Sequence, residues 1–142
     1  MTALYRTSAT AWGGRAGRVA TEDSRLDVSL SIPRGLGGDD GPGTNPEQMF
    51  AAGYAACFHA ALRSIAAGKG LDVSESAVTV SISLLGSVGQ RRLDLAADID
   101  VEVPGLDRET ADDLVSATHE LCPYTRATRG NIAVSLRVVQ GD

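Results

Sequence analysis

The stretch Asn45-Pro46-Glu47-Gln48-Met49-Phe50-Ala51-Ala52-Gly53-Tyr54-Ala55-Ala56-Cys57-Phe58-His59-Ala60-Ala61-Leu62 reads as the start and body of one helix. Asn45 is a capping side chain, Pro46 suits the first helical position, and Glu47 lies favourably against the positive end of the helix dipole. The helix is expected to run to about Ala67 and to stop at Gly68 or Gly70. From Met49 to Leu62 it carries no charged residue. A helix apolar all round is a buried one, and its many small residues predict a second helix packed close against it. It falls short of the roughly 20 apolar residues that a bilayer span requires, and no membrane segment is expected.

Strands flank this helix on both sides. Period-two alternation marks Val28/Leu30/Ile32 and Val78/Val80/Ile82/Leu84, then Leu93/Leu95/Ala97/Ile99/Val101/Val103, and finally Ile132/Val134/Leu136/Val138. Weaker strands are expected over Leu4–Ala11 and Arg18–Thr21, joined by the turn Gly13-Gly14-Arg15-Ala16-Gly17. A second helix starts at Asp107, after Pro104-Gly105, and sets Ala111, Leu114, Val115, Thr118 and Cys122 on one face. Pro123 ends or kinks it at Cys122. The order β-β-β-α-β-β-α-β predicts an α+β fold with antiparallel or mixed sheets around a buried central helix, in a single domain over residues 1–142. The stretch Gly35–Gly43 is read as a long loop; neither a phosphate-binding loop nor a dinucleotide fingerprint is present.

A chain of 142 residues buries enough surface to fold without a disulfide framework or a structural metal. Its net charge of −5 argues against nucleic acid as a partner, because such binding rests on clustered Lys and Arg. The first residues, Met1-Thr2-Ala3-Leu4-Tyr5-Arg6-Thr7-Ser8, lack the pattern of a secretory signal, and a cytoplasmic location is expected. Thiols there are kept reduced, so Cys57 and Cys122 are more naturally free or redox-active than a permanent bridge.

Taken alone, Cys57 is a small hydrophobe in an apolar helix, where a thiol is inert. Cys122, on the core-facing side of the other helix, changes the reading: if the helices pack together, the sulfurs can meet. A thiolate that attacks a peroxide bond becomes a sulfenic acid, and a neighbouring thiol condenses with it to a disulfide. Such a thiolate needs a cation, and spacing does not choose one among the arginines. Arg15 is one candidate and equally a solvated turn residue, while Glu47 reads first as a helix-dipole carboxylate. Cys57, His59, His119 and Cys122 do not suit a zinc ion, since Cys57 and His59 face about 200° apart on a helix. No Gly-x-Ser-x-Gly elbow of a hydrolase occurs.

Gly43-Thr44-Asn45-Pro46-Glu47-Gln48 and Phe50–Phe58, together with Cys122-Pro123-Tyr124 and Ala127-Thr128-Arg129-Gly130-Asn131-Ile132, closely resemble the organic hydroperoxide resistance branch of the OsmC superfamily. Gly13-Gly14-Arg15 and Pro104-Gly105-Leu106-Asp107-Arg108 extend the resemblance over nearly the whole chain. It implies an intertwined homodimer with thiol-dependent peroxidase activity on alkyl and fatty-acid hydroperoxides. It further implies Cys57 as peroxidatic cysteine and Cys122 as resolving cysteine, with Arg15 steadying the thiolate and Glu47 holding that arginine. No bound cofactor is implied; the reductant would be dihydrolipoamide or a lipoylated protein. A redox sensor using the same disulfide, or a small-molecule-binding domain with inert cysteines, are the other readings.

Two departures are visible: Thr125-Arg126 stands where Ser-Asn is usual, and Gly86–Arg92 lacks the usual Gly-Gly-Phe-Gly pattern. Glu47 precedes Cys57 by ten residues, about 15 Å along a helix, so it cannot sit beside that sulfur within one helix. Either Arg15 bridges the gap or, as we expect, the glutamate comes from a twin helix packed antiparallel near residue 52.

Overall fold

Short paired strands begin the chain. The computed structural model describes residues 1–140, which divide into two compact units, one over residues 1–49 and the other from residue 50 onward. In the first, β1 (Ala9–Trp12), β2 (Arg18–Thr21) and β3 (Asp27–Ser29) form an antiparallel sheet in that order. The first strand starts later than the expected Leu4, because its pairing begins at Ala9 opposite Thr21. Leu30, expected to prolong β3, instead bridges to Thr44, and Thr44 N donates to the Ser29 carbonyl at 2.9 Å. The long Gly-rich loop is thereby closed at its base, immediately before the first helix.

That helix, α1 (Pro46–Gly68), begins in the first unit and continues through the second. Asn45 Oδ1 accepts the Gln48 N–H at 2.8 Å, as a capping residue does. Tyr54, Phe58, Leu62 and Ala66, four residues apart, are fully buried along one stripe. Each large side chain among them contributes roughly 1.5–3 kcal/mol by leaving water. The uncharged composition predicts burial all round, whereas in the single chain Ala52, Ala56 and Ala60 are exposed on another face. The bulky residues fall on one stripe, and the alanines have little side chain to reach a neighbour within the chain.

In the second unit, β4 (Ala77–Leu85) and β5 (Asp94–Glu102) pair antiparallel, and β6 (Ala133–Val138) joins β5 in parallel. A parallel pair needs a long crossover. Here α2 (Arg108–Leu121) and α3 (Pro123–Thr128) supply it. β5 is the central strand, and its Ala97, Ile99 and Val101 are buried while Asp94, Asp98 and Glu102 face outward. These side chains form one core with the buried stripe of α1 and with Ala111, Leu114, Val115 and Cys122. Asp107 caps α2 by accepting the Thr110 N–H at 2.9 Å. The result is the expected α+β class with an antiparallel and a mixed sheet. The short α3 is an addition: Pro123 both stops α2 and opens a further helix from its first position. Among the described residues, no helix is long and apolar enough to cross a membrane.

Candidate active site

Cys57 stands in mid-α1, partly accessible to solvent, and Cys122 occupies the junction between α2 and α3, fully buried. Both are free thiols, and their sulfurs lie 4.0 Å apart. The spacing exceeds the roughly 2.05 Å of a disulfide, so the pair is reduced and about 2 Å from bonding. One sulfur is open to a solute while its neighbour is not.

Why the sulfurs meet follows from the two helices. Cys57 is three residues beyond Tyr54 and one before Phe58, at the edge of the buried stripe of α1. Cys122 continues the buried face of α2, and its N–H still donates to the Thr118 carbonyl at 2.9 Å. Pro123 then turns the chain into α3, whose first residue lacks an N–H. The first N–H that α3 offers therefore belongs to Tyr124, and it faces the Cys57 sulfur. Burial pushes the Cys57 thiol above its ordinary range, the Tyr124 N–H draws it down, and Cys122 pushes it up again. Left to these groups, Cys57 is a thiol at neutral pH, and thiolate chemistry requires a positive charge as well.

The aromatic rings beside this junction form a cluster. Tyr124 lies 5.7 Å from Tyr54 and 6.3 Å from Phe50 between ring centroids, and Phe50 meets Tyr54 edge-on at 5.8 Å. Gly53 admits the Tyr124 ring, since a Cβ there would stand 3.0 Å from its hydroxyl oxygen. Phe50, Gly53, Tyr54 and Tyr124 lie inside the blocks that carry the family resemblance, but residue type and spacing give the ring cluster no separate signal, since Pro123 marks a helix start as readily as a stop.

A second pair is assembled in the first unit. Arg15 sits in a 3-10 turn, Gly14–Ala16, between β1 and β2. Gly13 has a left-handed φ of 74°, and a Cβ on Gly17 would stand 1.7 Å from the Trp12 carbonyl oxygen, so this turn requires both glycines. The Arg15 guanidinium donates to both carboxylate oxygens of Glu47, at 2.7 and 2.8 Å. The hydrogen bonds raise the arginine further and hold the Glu47 carboxyl below its ordinary range. The glutamate is thus supplied within one chain, against the expectation that a twin helix provides it. That expectation measured Glu47 from Cys57 along α1; the arginine comes from a separate turn and closes on the first turn of α1 without spanning the helix.

His59 and His119 stay outside both pairs. His59 Nε2 is 3.0 Å from Ser76 Oγ, and burial lowers the pKa of His119. Among the described residues, no three His, Cys, Asp or Glu side chains gather where they could hold a metal ion.

Comparison with known proteins places this arrangement. The model of the OsmC-like protein family matches residues 37–137. The organic hydroperoxide resistance protein of Xanthomonas axonopodis pv. citri is 47% identical over 135 residues, covering 94% of this chain and 93% of that one. A crystal structure of an organic hydroperoxide resistance protein from Legionella pneumophila superposes with a TM-score of 0.90 at 43% identity, over 96% of this chain and 98% of that one. The crystal structure of the OhrB protein of Bacillus subtilis gives 0.87 at 40% identity, over 96% and 100%. The chain belongs to the OsmC-like family, in its organic hydroperoxide resistance branch.

Proposed function

We propose that the protein is a thiol-dependent peroxidase that reduces organic hydroperoxides to alcohols in oxidative stress defence. The observation that carries this reading is the Cys57–Cys122 pair, 4.0 Å apart, with one sulfur accessible and the other buried. The names of the relatives, organic hydroperoxide resistance proteins, support the substrate class.

In this cycle the Cys57 thiolate attacks the distal oxygen of ROOH, the O–O bond breaks, and RO⁻ takes a proton to leave as ROH. Cys57 is then a sulfenic acid. The Cys122 thiol attacks its sulfur, a disulfide forms, and the hydroxyl departs as water. An external dithiol, dihydrolipoamide or a lipoylated protein, exchanges with the disulfide, restores both thiols and is itself oxidised to a cyclic disulfide. Arg15, oriented by Glu47, is the cation that this proposal assigns to the thiolate. No resident cofactor takes part.

The apolar residues that raise the Cys57 thiol also select the substrate, because burial of an alkyl chain contributes about 0.8 kcal/mol per methylene that hydrogen peroxide lacks. We assign the protein to the cytoplasm and to a homodimer in which a twin chain covers Ala52, Ala56 and Ala60. Exposed alanines on a long uncharged helix support that assembly.

One assay tests the reading: consumption of cumene or linoleic hydroperoxide with dihydrolipoamide, beside hydrogen peroxide with dithiothreitol. Sustained turnover favouring the organic peroxides is expected. Consumption of a single equivalent would identify a redox sensor instead, and no consumption an inert domain.

A further inference from the structure

We propose that Tyr54 is a positioning residue whose buried hydroxyl pins α3 to α1, so that the first free N–H of α3 and the Cys122 sulfur both stand at Cys57. The proposal rests on the peroxidase reading of that cysteine pair. The Tyr54 hydroxyl donates to Thr125 Oγ1 at 3.1 Å and lies 3.2 Å from Thr128 Oγ1. Thr128 Oγ1 also donates to the Thr125 carbonyl at 3.1 Å. Tyr54 and Thr125 are fully buried and Thr128 nearly so, so no water completes these bonds in their place.

The placement is what gives the network a role beyond cohesion. Tyr54 precedes Cys57 by three residues, one turn along α1, on a neighbouring face. Thr125 directly follows Tyr124, whose N–H faces the Cys57 sulfur, and stands three residues after Cys122. Each end of the pin is therefore within about one helical turn of a sulfur. α3 has six residues, too few to be a stable helix on its own. Gly53 and the Tyr124 ring bring α1 and α3 into close approach at the same level, where the three hydroxyls fix the rotation of α3 about its axis. With that rotation free, the Tyr124 N–H leaves the sulfur, and the thiolate loses a charge-assisted hydrogen bond. Cys122 is carried off line with it, and the sulfenic acid persists longer before it is resolved.

The test compares Tyr54→Phe and Thr125→Val, which remove hydroxyls while keeping shape, with Thr125→Ser, which keeps the hydroxyl. Alkylation of Cys57 by iodoacetamide is followed against pH, and sulfenic acid after one equivalent of cumene hydroperoxide is trapped with dimedone. In Tyr54→Phe and Thr125→Val, alkylation at pH 7 is expected to slow about tenfold, its midpoint to move to higher pH, and dimedone capture to rise. Thr125→Ser should stay within about twofold of wild type. A lower melting temperature with an unmoved alkylation midpoint would make the network merely structural and overturn the proposal. If Tyr54→Phe does not fold, the Thr125 pair decides by the same criterion. Alkylation needs no peroxide, so a wild type without turnover ends the peroxidase reading while the alkylation profiles still judge the pin.

Discussion

The Arg15–Glu47 and Cys57–Cys122 pairs solve opposite problems of solvation. Arg15 and Glu47, in the first unit, keep 36% and 18% of their side-chain surfaces exposed and hold together through two short, charge-assisted hydrogen bonds. Cys57, in the second, lies against the fully buried Cys122, and burial pushes its own thiol above the ordinary range. A permanent charge tolerates partial water and needs a rigid orientation, which the glycine turn and the helix start provide. A sulfur that must ionise, oxidise and bond to its neighbour needs a dry site together with donors that lower its pKa. Charge is thus held by short hydrogen bonds in partial water, and the thiols by burial.

The largest effect is expected at Cys57. Cys57→Ser should reduce hydroperoxide turnover by more than about a thousandfold in the dihydrolipoamide assay, since the attacking atom is gone. Cys122→Ser should consume one equivalent and then stall; a steady-state rate equal to wild type would falsify the two-thiol cycle. If Arg15 steadies the Cys57 thiolate as proposed, Arg15→Ala is expected to lower the rate of Cys57 alkylation at pH 7 by about ten- to a hundredfold, since loss of a cation raises a thiol pKa. Glu47→Gln, which keeps one acceptor for the arginine but removes its charge, should cost about three- to tenfold in the same measurement. An effect larger than that of Arg15→Ala would show that the carboxylate acts on its own account.

The smallest effect is on stability. The Glu47 carboxyl is held below its ordinary 4.5, so the ion pair contributes above that pH and the contribution is lost as pH falls through the lowered native value. Because both partners are partly in water, it amounts to less than about 1 kcal/mol. Urea unfolding of wild type and Arg15→Ala should therefore differ at pH 7 and converge well below pH 4.5. A gap that persists in acid would assign the difference to packing of the arginine stem instead.

Much of this was legible along the chain because it is local. Asn45, Pro46 and Gly68 bound α1 through capping and backbone geometry that involve only near neighbours, and the alternation in β4, β5 and β6 followed directly from which residues are apolar. The weak strands were less well bounded. Neither Leu4 to Ser8 nor Ala9 to Trp12 carries strong alternation, and only the latter find partners on β2. α3 was missed because six residues carry too little periodicity to register, and Pro123 was read for its stop and not for its start.

Residue identity alone determined the α+β class, the Asn45 cap, the candidate cysteine pair and the family, because these depend on residue type and short spacing. Only the tertiary structure decided that the sulfurs stand 4.0 Å apart, that Cys57 is the accessible one, and that Glu47 closes on Arg15 within its own chain. It alone revealed the Tyr54, Thr125 and Thr128 hydroxyls as one buried network across 71 to 74 positions of sequence. The reason is physical: a distance between groups far apart in the chain depends on how helices rotate and pack, and residue types leave that open.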